Sequence, residues 1–249
     1  KGNALIAVKD AEGTILWSWH IWMTDQPEDQ TYENDVLGEF VMLDRNVGAI
    51  RADRGTGDEW QESIGLYYQW GRKDPFAGGK FTNYSGQMTA AESLKNPTKI
   101  VSDHSNWTQE TQVYFWSPDK KTIYDPCPVG YRMPPEDVWY GFTDGGNSQY
   151  VTESDVSNVT GENGWSFYCN SASETTWYPV NGYYTHVGSL SSSSYGYYWS
   201  ADKNGGSPYN FYFRSDGYVY QNHTSNTYCA YNVRCMKDEE YEATSLPIV

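Results

Sequence analysis

Between Trp199 and Cys235 the chain reads WSADKNGGSPYNFYFRSDGYVYQNHTSNTYCAYNVRC, dense in Tyr, Ser, Asn and Gly. Apolar and polar residues alternate with the two-residue period of a strand. Tyr209, Phe211 and Phe213 fall on one face, and Asn210, Tyr212 and Arg214 on the other. Asp216-Gly217 is a hairpin signal, after which Tyr218 and Tyr220 alternate with Val219. Such a segment folds as short strands joined by tight turns. Tyr212, Arg214, Tyr218 and Tyr220 then share an exposed face, flanked by Asn222, His223, Asn226 and Tyr228. Tyr offers broad contact area at low ordering cost, and Ser, Gly and Asn add adaptable hydrogen bonding, the composition antibody paratopes use. The segment reads as a surface that binds.

The same pattern dominates the second half of the chain. Strands are predicted over residues 165–169, 177–184, 197–201, 209–214, 218–222 and 228–236. The first half mixes strands at 3–8, 14–23 and 40–43 with short helices. One helix is expected over 61–70, and another opens at the capping box Thr89-Ala90-Ala91-Glu92 and stops at Pro97. A third begins at Pro134-Pro135-Glu136-Asp137 and ends at Gly141. Few helices early and strands late predict an α+β domain with a twisted, mostly antiparallel sheet. A chain of 249 residues suffices for one large domain. We place it at 1–238, with the binding segment at about 181–232 and an acidic, frayed tail at 239–249.

Net charge is −15. An acidic surface repels phosphate backbones and anionic lipid heads, so neither a nucleic-acid partner nor membrane docking is expected. Residues 142–234 carry few charges, which suits a neutral polar ligand such as a glycan, or a protein surface. No stretch approaches the ~18–20 apolar residues of a membrane span. The chain begins at Lys1 rather than Met, which reads as a processed or trimmed piece, with any export signal removed. Cys127, Cys169, Cys229 and Cys235 permit three disulfide connectivities, or buried free thiols. No C-x-x-C unit occurs, so zinc is not expected.

Six phrases in order carry a resemblance. They are residues 3–22 (NALIAVKDAEGTILWSWHIW), 43–49 (LDRNVGA), 65–76 (GLYYQWGRKDPF), 124–134 (YDPCPVGYRMP), 198–201 (YWSA) and 233–238 (VRCMKD). Over nearly the whole chain they resemble the Fibrobacter major paralogous domain, which occurs in fimbrillin-like surface proteins and pilus-tip adhesins of gut Gram-negative bacteria. The resemblance implies a C-type-lectin-like fold, similar to the hypervariable proteins of diversity-generating retroelements. It also implies an extracellular place, outer-membrane-anchored or fimbrial, among other pilus or surface-protein domains. Cys127 would pair with Cys235, closing a loop credited with roughly 4–5 kcal/mol. Cys169 and Cys229 lie in predicted strands of the same half, which leaves a second bridge open.

The expected ligand-binding residues are Tyr195, Tyr198, Asp202, Asn204, Asn210, Tyr212, Arg214, Tyr218, Tyr220, Asn222, His223, Asn226 and Tyr228. In retroelement-diversified proteins of the implied fold, the variable positions sit in this closing segment. The bland alternative is a hydrophilic sheet edge where Tyr merely favours strands. Trp17, Trp19 and Trp22, like Trp70, Trp139 and Trp199, read as core. No cofactor is expected. Calcium, which many C-type lectins use, lacks its Glu-Pro-Asn and Trp-Asn-Asp strings here. Asp144 with Asn147, and Asp53 with Asp58 and Glu59, supply oxygens outside the usual loop spacing. Catalysis is not expected either. No Gly-x-Ser-x-Gly elbow appears, and His20, His104, His186 and His223 lack local partners. The leading expectation is an adhesin head, with a structural assembly module as the alternative and a glycosidase behind it.

Overall fold

A computed structural model describes residues 1–76, 81–101, 106–111, 115–146, 149–150, 156–157, 163–170, 174–185 and 188–240. His104, His186, Asn147 and most of the expected tail (241–249) lie outside these residues. Among the described residues 43 % are strand and 11 % helix. This overturns the α+β, C-type-lectin-like expectation. The fold is mostly β, in several sheets with a sandwich-like packing. The helical signals were present but short: the Thr89 capping box nucleates only Ala90–Lys95, and Pro135 only the 3-10 turn Glu136–Phe142.

In chain order, Gly2–Lys9 (β1) and Ile15–Met23 (β2) form a hairpin with no further strand partner among the described residues. Its turn is fixed by Asp10, whose carboxylate accepts from the backbone N–H of Thr14 at 2.7 Å. Asp29–Asn34 (β3) and Gly38–Leu43 (β4) form a second hairpin. Tyr67–Gln69 (β5) is fully buried, and Thr82–Tyr84 (β6) pairs in parallel with Lys99–Val101 (β7). Tyr131–Arg132 (β8) joins the sheet of β3 and β4. Gln149–Tyr150 (β9) and Val156–Ser157 (β10) precede the hairpin of Gly164–Asn170 (β11) and Glu174–Pro179 (β12). Tyr183–Tyr184 (β13), Leu190–Ser191 (β14), Tyr195–Asn204 (β15), Ser207–Arg214 (β16), Tyr218–Thr224 (β17) and Ala230–Asn232 (β18) build the main sheet, and Met236–Lys237 (β19) closes the fold between β4 and β8.

The main sheet runs β14-β13-β18-β15-β16-β17-β9, with β5 attached to β18. Its two faces differ. Tyr198, Phe211, Phe213 and Val219 are 0 % exposed and pack with Tyr32 and Met42 of the β3–β4 hairpin and with Trp165, Phe167 and Tyr178 of β11–β12. On the other face Trp199 and Tyr231 join a core of Trp70, Trp107 and Trp116. Trp70, Trp139 and Trp199 are therefore core, as expected.

Two sequence expectations fail for physical reasons. The helix expected over 61–70 is a 3-10 turn, Gly57–Ser63, followed by β5. Gly65 separates them with φ +79, and a Cβ there would stand 2.6 Å from the Val47 carbonyl. Pairing of Tyr67–Gln69 with β18 outweighs local helix preference. In β2 the buried and bare faces are the reverse of a simple apolar-in rule. Ser18 is 1 % exposed and donates to the Asp74 carboxylate at 2.7 Å, while Trp22 Nε1 donates to the Ala49 carbonyl at 2.9 Å. Trp19, expected in the core, is 47 % exposed, beside Ile6, Ile21 and Met23 on a bare apolar face.

The Cys127–Cys235 disulfide forms across 108 residues, as the resemblance implied. Cys169 and Cys229 are free and buried, so no second bridge exists. Beside the bridge, Arg234 is fully buried with no carboxylate partner among the described residues. It donates to Asn46 Oδ1 (3.1 Å), Thr176 Oγ1 (2.8 Å) and the Trp177 carbonyl (2.7 Å), and its guanidinium lies 3.8 Å over the Tyr178 ring. Replacing both Cys127 and Cys235 by Ala is expected to lower unfolding free energy by about 3–5 kcal/mol in urea titrations. A loss below about 1 kcal/mol would mean that the closing strand is held without the bridge.

Candidate functional site

The unburied end of the main sheet is paved with aromatic rings. Alternation along β15 and β16 sends Gly196, Tyr198, Phe211 and Phe213 inward, which leaves Tyr195, Tyr197 and Tyr212 on the opposite face. Register then stacks them. Tyr197 pairs with Tyr212 and Tyr212 with Tyr220, and their ring centroids lie 4.9 and 5.2 Å apart in stacked geometry. The series extends inward through Tyr231, 4.8 Å from Tyr197 and 4.1 Å from Trp199. Outward it runs through Tyr218, 4.4 Å from Tyr220, to Tyr150 on β9, 4.5 Å from Tyr218. Exposure rises along it, from Trp199 at 0 % through Tyr197 at 9 % to Tyr150 at 61 %. Each such ring pair contributes about 0.5–1.5 kcal/mol beyond area burial, so the outer rings stand on a rigid base.

Arg214 sits among the outer rings. Its guanidinium lies 5.8 Å over Tyr195 and 5.9 Å over Tyr218, and it pairs with Asp216. That pair leaves the face nearly neutral. His223 closes one side, 5.5 Å from Tyr212 and 5.7 Å from Tyr220. Burial pushes the Tyr212 phenol up to about 12 and holds His223 below its ordinary value. A hydrogen bond with Tyr220 raises Tyr218 as well. The rings are thus uncharged donors and acceptors near neutral pH.

Of the thirteen expected residues, the fold brings Tyr195, Tyr212, Arg214, Tyr218, Tyr220 and His223 into this one patch. Asn222 and Asn226 are exposed on the flanking segment, and Tyr228 is half-buried against the core. Two residues are corrected. Tyr198 is completely buried, its hydroxyl donating to the Pro179 carbonyl. Asn210 is also buried, its amide donating to the His223 carbonyl and Ser225 Oγ at 3.0 Å, where it supports a bulge in the sheet. Asp202 lies within the irregularity in the β15–β16 pairing, and Asn204 just beyond it. Asp202 accepts from the Glu136 N–H at 2.8 Å and so anchors the neighbouring 3-10 turn; Asn204 is exposed. Tyr150, Tyr197, Tyr231 and Tyr183, whose ring lies 5.0 Å from that of Tyr197, were missed. Only the register of distant strands reveals them, and no local signal marks Tyr150 as the partner of Tyr218.

Among the described residues no group of three or more His, Cys, Asp or Glu side chains is placed to hold a metal ion. No described helix is long and apolar enough to cross a membrane. Comparison with known proteins returns no family model, no curated protein and no solved structure that matches this chain.

Two outcomes follow from these electrostatics. A phenolate difference spectrum between the parent and Tyr212→Phe should develop only as pH nears 12; a difference at pH 10, near the ordinary tyrosine value, would show an unshielded ring. Glu136 is the second case. Burial, then repulsion from Asp202 and Asp137, raises its carboxyl to about 7. Its protonated form is the one the fold favours, so its stability contribution is present in acid and fades as pH rises through 7. Glu136→Gln should therefore raise the melting temperature at about pH 8 and leave it unchanged at about pH 4. An equal gain at both pH values would refute that assignment.

Proposed function

We propose that this chain is a ligand-binding domain, the adhesive head of a bacterial cell-surface or pilus-tip protein, and that it grips a glycan or a protein surface without covalent chemistry. The observation that carries the reading is the tyrosine ladder. A contiguous patch of half-exposed rings, rigidly backed and nearly neutral, with Arg214 among them, has the residue types that dominate binding hot spots. The ring faces suit the apolar faces of sugars, and the hydroxyls with Asn222 and Asn226 suit their polar rims. The six-phrase resemblance supports a surface-displayed setting, and the Cys127–Cys235 bridge is compatible with an oxidising compartment.

A second reading, a structural assembly module, is favoured by one specific observation. Ile6, Val8, Trp19, Ile21 and Met23 are each more than 40 % exposed on one face of the β1–β2 hairpin. Contiguous apolar patches of that kind mark protein contacts.

The two separate by substitution. Tyr212→Ala with Tyr218→Ala and Tyr220→Ala should reduce binding on glycan and surface-protein arrays by about 100-fold, the scale of a lost hot-spot cluster, in a protein whose melting temperature falls but which circular dichroism shows still folded at the assay temperature. Trp19→Ser with Ile21→Thr should leave array binding intact. If the tyrosine variant binds as well as the parent while the hairpin variant fails to assemble with neighbouring subunits, the assembly reading replaces the adhesive one.

A further inference from the structure

A polar cavity of about 610 Å³ lies away from the tyrosine ladder, between the loop of residues 51–59 and the outer face of the β11–β12 hairpin. That volume fits a ligand of one or two sugar rings, since small-molecule sites span roughly 300–1,000 Å³. Its wall contains three carboxylates, each paired with an arginine, although Asp53 and Glu59 share a single one. Asp44 is paired with Arg45 at 2.8 Å, while Asp53 and Glu59 are held by Arg51 at 2.5 and 3.1 Å. The loop bends tightly around that network because Gly55, at φ +63, lacks a Cβ that would stand 2.6 Å from Glu59 and 2.9 Å from Arg51.

Arg54 stands apart. Half-buried in the same wall, it makes no hydrogen bond or ion pair with any described residue. The other arginines nearby illustrate the contrast, for Arg45 and Arg51 each engage two or more carboxylates. Across the cavity Ser166 faces Trp177 in the hairpin register, and Thr175 lies two residues from Trp177 on the same face. The hydroxyls of Ser166 and Thr175 are likewise without side-chain partners among the described residues. A guanidinium with five free donors recognises a carboxylate as a planar fork, and the paired carboxylates keep lone pairs that accept from hydroxyls.

We propose that this cavity is a second binding site whose ligand is a sugar acid, a polyhydroxylated ring bearing a carboxylate. Arg54 takes the carboxylate in a bidentate pair, Ser166 and Thr175 contact the ring hydroxyls, and Asp53 and Glu59 accept from them. A neutral sugar leaves Arg54 unused. A bare carboxylate leaves the hydroxyl and carboxylate wall unused, and meets the repulsion of a chain of net charge −15 with little to offset it. The site is independent of the tyrosine ladder and stands or falls separately.

The test is titration of the whole chain with D-glucuronate and N-acetylneuraminate by calorimetry, with D-glucose and acetate as comparators. Saturable binding of one or both sugar acids, at least about tenfold tighter than either comparator, is expected. Arg54→Gln should weaken it by about tenfold or more, Arg54→Lys by less because an ammonium keeps the charge while losing the planar fork, and Ser166→Ala by a few-fold. Melting temperatures should stay close to the parent value, since Arg54 makes no hydrogen bond or ion pair with a described residue. The Tyr212→Ala, Tyr218→Ala, Tyr220→Ala variant should bind sugar acids as the parent does. The proposal is overturned if neither acid binds saturably, if glucose or acetate binds as well, or if Arg54→Gln binds like the parent.

Discussion

Arg234 is the interaction on which the rest of the architecture leans. It occupies the point where the closing segment passes between the main sheet, the β11–β12 hairpin and the loop after β4. Its three donor groups reach Asn46, Thr176 and the Trp177 carbonyl, so one side chain ties together three stretches far apart in sequence. Burial disfavours its charge, and the acceptors on Asn46, Thr176 and Trp177 together with the Tyr178 ring face offset that penalty. A neutral set of acceptors and an aromatic face take the place of a counter-ion. The backbone on either side is pinned as well, since Val47 N–H donates to the Val233 carbonyl and Leu43 N–H to that of Cys235, each at 2.9 Å. With the disulfide added at the next residue, the end of the chain becomes the keystone of the sheets rather than an appendage.

Buried asparagines play a related part. Asn181 and Asn232 share a 2.6 Å hydrogen bond, and their remaining groups substitute for strand partners: Asn181 pairs with both backbone groups of Tyr197, and Asn232 donates to the Leu66 carbonyl. These amides hold β15 on its β18 side, where the strands pair at Tyr198 and Asn232. The positions of Tyr195 and Tyr197 in the ladder therefore depend on side chains that never reach the surface.

Much of this was legible in the sequence, and the failures have identifiable causes. The alternation in Tyr209–Arg214 correctly assigned Phe211 and Phe213 inward and Tyr212 outward, because a strand buried on one face leaves that periodicity in its residues. The same rule misassigned β2, where Trp19 points to solvent and Ser18 is buried against Asp74, because a lone hairpin is held by specific polar contacts rather than by its apolar face. Tyr198 and Asn210 belong to a residue class suited to binding, but burial depends on which face of the sheet meets the second core, and composition carries no record of that. The fold class failed for a broader reason: short helix signals were weighed as elements, although six- and seven-residue turns contribute little beside paired strands. The cavity beside Arg54 was invisible for yet another, since its walls come from residues more than a hundred positions apart.

The gradient of exposure along the ladder has a consequence for how this surface can change. Its innermost rings are committed to packing, so their identity is bound to the fold, whereas Tyr218, Tyr220 and Tyr150 rest on those rings and support only one another and their surface neighbours Arg214 and His223. Foundation and facade are thus separate. The outer positions are free to drift toward new ligands while the inner ones preserve the scaffold, which makes adaptability a property of the sheet's geometry.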